Sequence, residues 1–74
     1  QLARQLEAQQ NAEKAQADTL RLSLERYKIG VSSYLEVLDA ERSLYASRQA
    51  TLQIRRAQLT AAAQLYKALG GGVQ

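Results

Sequence analysis

Seventy-four residues allow one small unit rather than two domains. Apolar residues make up 46 %, but many are alanine and the four tyrosines are the only aromatics, so two helices of this content bury little surface and need partner helices. With no cysteine and no histidine, disulfides, the usual transition-metal ligands and the usual general base are excluded.

The net charge of +3 is unevenly spread. All seven acids lie in residues 1–41, whereas residues 42–74 carry only bases: Arg42, Arg48, Arg55, Arg56 and Lys67. A basic helix can suit nucleic acid or anionic lipid. Here the arginines lack interleaved aromatics and the acids of the first half can face them, so no nucleic-acid partner is expected. Gln1-Leu2-Ala3-Arg4 is neither an initiator methionine nor a signal peptide, and no apolar run approaches a membrane span. The chain therefore reads as a piece of a longer protein.

Residues 2–28 predict the first helix. Gly and Pro are absent from it and good helix formers dominate. Leu6, Glu13, Leu20 and Tyr27 form one heptad column, and Ala8, Ala15, Leu22 and Ile29 form another on a different side.

Residues 29–32 predict the turn. Gly30 is the only glycine before Gly70, and there is no proline, so the chain has one internal place to reverse. Gly30 can take the left-handed conformation that ends many helices. Ser32 or Ser33 can cap the next helix, and Ser33 is the better candidate because Glu36 three residues on completes a Ser-x-x-Glu capping box. Glu36 and Asp39 fall where the helix dipole favours negative charge.

Residues 33–69 predict a second helix, roughly 55 Å long at 1.5 Å per residue. Leu38, Tyr45, Leu52, Leu59 and Tyr66 recur every seven residues, a coiled-coil signal. A further stripe of Val37, Leu44, Ile54, Ala61, Leu65 and Ala68 lies round the cylinder from it. Gly70 stops the helix, and residues 70–74 predict a flexible glycine-rich exit.

The expected fold is an all-α antiparallel two-helix coiled-coil hairpin over residues 1–74. Folding at Gly30 sets Leu24 against Leu38, Leu20 and Ala17 beside Tyr45, Glu13 near Leu52, and Leu6 and Ala3 beside Leu59. The same register brings Glu7 near Arg55 and Arg56, and Asp18 or Glu13 near Arg48. Each helix has apolar residues on two sides and one partner uses only one, which predicts packing between two neighbours in a bundle or ring.

No residue set forms a catalytic constellation, and a two-helix hairpin offers no pocket for one, so no enzyme activity and no cofactor is expected. The carboxylates Glu36 and Asp39 share a helix face. They serve the helix start, or a ring of negative charge if copies pack round an axis. Tyr27 and Tyr34 either pack at the tip and bond nearby backbone, or hold neighbouring hairpins together. Ile29-Gly30-Val31-Ser32 is either a plain turn or an exposed apolar knob for a protein partner.

The stretch from Arg26 to Tyr45, RYKIGVSSYLEVLDAERSLY, resembles the R-Y-x-x-G-x-x-x-(Y/T)-L-(D/E)-V-L-D-A-x-x-x-L-(Y/F) signature of TolC-like outer membrane efflux proteins. Leu65 to Gly72, LYKALGGG, is similar to the closing stretch of the branch that serves resistance-nodulation-division pumps. The resemblance implies the second-repeat periplasmic hairpin of a homotrimeric outer membrane channel. It implies an adaptor-docking tip at Ile29, Gly30, Val31 and Ser32, a tip-closing contact at Tyr27, and a constriction ringed by Glu36 and Asp39. It further implies a periplasmic adaptor as direct partner and an inner-membrane pump as indirect one. Two positions depart from the family pattern: Ser32 replaces a basic residue of some members, and Val73-Gln74 stands where Trp is usual. The alternative is a generic coiled-coil interaction module with no transport role.

Overall fold

A computed structural model describes residues 1–70 of the chain. They form two helices, α1 (Leu2–Lys28) and α2 (Tyr34–Ala68), folded back on each other as an antiparallel hairpin. The rod measures 65 × 17 × 13 Å. The second helix is one residue shorter at each end than the span expected from periodicity, within the ordinary fraying of helix ends. The glycine-rich tail falls outside the described residues from Gly71 onward, and so does the Val73-Gln74 departure. Among the described residues no helix is long and apolar enough to cross a membrane.

The reversal is a Schellman motif. Gly30 sits at φ 78°, its N–H donates to the Tyr27 carbonyl at 3.0 Å, and the Val31 N–H donates to the Arg26 carbonyl at 2.9 Å. These bonds satisfy carbonyls that the end of α1 would otherwise leave unpaired. A Cβ on Gly30 would meet nothing within 4 Å, so glycine is required by the backbone angle and not by crowding. Basic Arg26 and Lys28 close α1, and Lys67 closes α2, each where the helix dipole favours a cation.

The seam between the helices follows alternating spacings of three and four. On α1 it runs through Leu2, Leu6, Gln9, Glu13, Gln16, Leu20 and Ser23; on α2 through Val37, Ala40, Leu44, Ser47, Thr51, Ile54 and Gln58. The inward side of α1 is thus the column expected from its heptads. The inward side of α2 is not. Leu38 and Tyr45 are 41 % and 66 % exposed while Val37 is fully buried, Leu52 lies at the edge of the seam beside Ala17, and Leu59 and Tyr66 fall where every described residue of α2 is exposed. Glu13 and Leu52 line one groove, as expected, whereas Val37 and Leu44 take the buried places expected of Leu38 and Tyr45, and Leu59 stays exposed.

The physical reason lies on α1. Its seam carries Gln9, Glu13 and Gln16, and a leucine column laid against them would bury polar groups without partners. Rotating α2 offers them Ser47 and Thr51 instead. Gln9 Nε2 donates to the Ser47 carbonyl at 3.0 Å and to its Oγ at 2.9 Å. Thr51 Oγ1 donates to Glu13 Oε1 at 2.8 Å. Glu13 Oε2 also pairs with Arg48 Nε at 3.8 Å, one of the ion pairs expected from the sequence. Asp18 pairs with Arg21 on its own helix at 4.0 Å, and among the described residues no ion pair joins Glu7 to Arg55 or Arg56.

Candidate functional site

The chemistry-bearing residues cluster where the chain reverses. The turn itself presents Ile29, 74 % exposed, and Val31, 58 % exposed, on either side of Gly30. They leave two apolar side chains in water at the end of the rod. Ser32 lies behind them with a buried Oγ that has no hydrogen-bond partner. A hydroxyl in that state costs stability until something supplies a donor or acceptor.

Beneath the turn, Tyr27 at the end of α1 and Tyr34 at the start of α2 meet edge to face, with ring centroids 5.0 Å apart at 64°. An aromatic pair of this geometry contributes about 0.5–1.5 kcal/mol beyond the area it buries. No hydrogen bond from either phenol to backbone is formed among the described residues. Both rings remain close to half exposed, so the pair ties the two helices together and still presents a face outward.

Ser33 occupies the N-cap position of α2 with extended backbone, φ −82° and ψ 163°, but its side chain makes no capping bond. The capping box expected from Ser33 and Glu36 is therefore not closed. Its second half is occupied elsewhere: Glu36 Oε1 accepts from Arg26 Nε at 3.3 Å, across the turn. Both the cap bond and the guanidinium bond are charge-assisted, and here the carboxylate is engaged by the guanidinium. Sequence inspection missed Arg26 because its partner is ten residues away and the link depends on how the turn stacks the helix ends.

Glu36 and Asp39 lie together on one side of the hairpin. Both line a shallow groove with Gln16, Thr19, Ser23, Ala40 and Ser43. Glu36 is engaged by Arg26, whereas among the described residues no ion pair reaches Asp39. At about 100° per residue, the other flank of the seam presents a different chemistry. There a longer groove is lined by Ala17, Leu44 and Leu52 with Lys14, Arg48 and Arg55 at its edges. One flank near the tip is acidic, and the other, further along, is apolar and basic.

The arrangement resembles known proteins in sequence. The family model described as "Outer membrane efflux protein" matches residues 1–71. The chain is 48 % identical over 68 residues to the probable efflux pump outer membrane protein TtgC of Pseudomonas putida, covering 92 % of this chain and 14 % of that protein. It is 45 % identical over 73 residues to the pyoverdine export outer membrane protein OpmQ of Pseudomonas aeruginosa, covering 99 % of this chain and 15 % of that protein. It is 44 % identical over 77 aligned positions to the cation efflux system protein CusC of Escherichia coli O157:H7, covering 99 % of this chain and 17 % of that protein. The chain thus spans about one-seventh of the length of such relatives. No solved structure matches it.

Proposed function

The chain belongs to the outer membrane efflux protein family, and from that premise we propose that it is the periplasmic hairpin of a trimeric channel exporting drugs or other small toxic compounds. In this role it forms tunnel wall, constriction and adaptor-docking tip. The energy comes from an inner-membrane pump, reached through a periplasmic adaptor. The full channel resides in the outer membrane, with this segment in the periplasm.

The observation that carries the proposal is the uncovered column of α2. Leu38 and Tyr45 stay exposed beside the buried Val37 and Leu44, Leu52 sits at the edge of the seam, and Leu59 and Tyr66 continue the column where every described residue of α2 is exposed. A helix with one seam satisfied and a second left open suits a wall in which neighbours close on it. The exposed Ile29 and Val31, with the unpartnered Ser32 hydroxyl behind them, suit a docking tip. Tyr27, paired to Tyr34, suits a tie that holds the tip closed. Glu36 and Asp39 share one groove and suit a ring of charge that favours cations at a constriction.

Planar-bilayer recordings of the full-length channel carrying Glu36→Gln and Asp39→Asn together test the constriction. A fall in cation selectivity is expected, and unchanged selectivity contradicts it. Drug-susceptibility assays of Gly30→Glu test the tip. Impaired efflux with normal trimer assembly is expected, and full resistance contradicts docking there.

A further inference from the structure

We propose that Arg26 is a specificity-determining residue of the channel: by pairing with Glu36 it cancels one of the two carboxylates at the constriction and leaves Asp39 to set the charge of the ring. The inference rests on the channel role proposed above and divides it between residues.

The geometry is local and specific. Arg26 Nε lies 3.3 Å from Glu36 Oε1, with the two side chains 51 % and 49 % exposed. Arg26 is also the residue whose carbonyl accepts the Val31 N–H of the Schellman turn. The turn that reverses the chain therefore fixes Arg26 opposite the first turn of α2. Glu36 has an alternative use at the helix start, in the Ser33 capping box, and does not take it. Asp39 sits one turn further on, lines the same groove and has no ion pair among the described residues. Arg42 follows it and makes none either.

An ion crossing the constriction samples the field of these groups across several ångströms of water. Opposite charges in contact appear at that range as a weak dipole, whereas a lone carboxylate is only partly screened within a Debye length of about 8–10 Å. Each subunit then contributes the charge of Asp39, with Glu36 masked. Removing Arg26 unmasks Glu36 and makes the ring more negative. Removing Glu36 unmasks Arg26 and makes it less so.

The test uses the full-length channel in planar bilayers under a salt gradient, reading the cation-to-anion permeability ratio. Arg26→Gln is expected to raise the ratio roughly twofold, an effect that shrinks at high salt. Arg26→Gln with Glu36→Gln is expected to restore the wild-type ratio, and Asp39→Asn to lower it. Arg26→Lys keeps the charge and is expected to leave the ratio unchanged, which separates masking from a change in assembly. If Asp39→Asn lowers the ratio but Arg26→Gln leaves it unchanged or lowers it, the assignment of Arg26 is overturned while the ring stands. If Asp39→Asn has no effect, the ring itself is overturned.

Discussion

The two halves of this hairpin are held together by different means. Near the tip the buried residues of α2 are apolar, Val37, Ala40 and Leu44, the buried Ser23 of α1 bonds back to its own helix, and the Tyr27–Tyr34 pair joins the helix ends. Further along, the seam is stitched by polar groups, Gln9 to Ser47 and Glu13 to Thr51 and Arg48. Beyond Gln58 every described residue of α2 is exposed. Apolar burial supplies most of the free energy and is indifferent to rotation, while hydrogen bonds add little net stability but penalise any arrangement that leaves them unmade. The tip half therefore carries the stability, and the polar half decides which face of α2 turns inward.

Substitutions can break this contrast. The largest effect is expected in the tip half. Leu44→Ala removes one of the few buried side chains and should cost about 2–3 kcal/mol, seen as a lower midpoint in thermal or urea unfolding followed by circular dichroism. In the polar half, Glu13→Ala leaves the buried Thr51 hydroxyl without its carboxylate partner. The hydroxyl keeps its bond to the Ser47 carbonyl, so a loss of about 0.5–1.5 kcal/mol is expected by the same measurement. Glu13→Leu with Thr51→Leu sharpens the comparison: stability should be kept or raised while only the Gln9–Ser47 bonds are left to select the rotation of α2.

At the turn, Gly30→Ala should cost about 1 kcal/mol, because only the backbone angle resists it and no atom crowds the new methyl. The smallest effect belongs to Ser33→Ala. Its hydroxyl makes no capping bond, so a few tenths of a kcal/mol are expected where a working cap would lose about 1.

Much of this fold is legible in the sequence. A glycine alone in a proline-free chain locates the reversal, and the composition on either side gives both helices. The Leu6, Glu13, Leu20 column correctly gives the inward side of α1, and the Glu13–Arg48 pair follows from the register. The rotation of α2 is not legible in its own pattern. The Leu38 column and the Val37 column share one period, and the more apolar of the two looks like the better seam. The choice is made by Gln9 and Glu13 on the other helix, through bonds that exist only after the chain has folded back.

At the candidate site the exposed Ile29 and Val31 follow from their place beside Gly30, as does the shared face of Glu36 and Asp39. The engagement of Glu36 by Arg26 does not, since the local Ser-x-x-Glu pattern points to a cap and the competing guanidinium arrives from the far side of the turn.

The rotation of α2 is the point on which the wall, the open column and the two flanks depend, and paired cysteines in the full-length protein measure it directly. Ser23→Cys with Ala40→Cys joins two buried positions lining one groove, whereas Leu20→Cys with Tyr45→Cys joins the seam to the outward column. A short bifunctional thiol reagent is expected to link the first pair within one chain and to leave the second unlinked. Efficient linking of Leu20→Cys to Tyr45→Cys, with none between Ser23→Cys and Ala40→Cys, would place the Leu38 column against α1 and contradict the account.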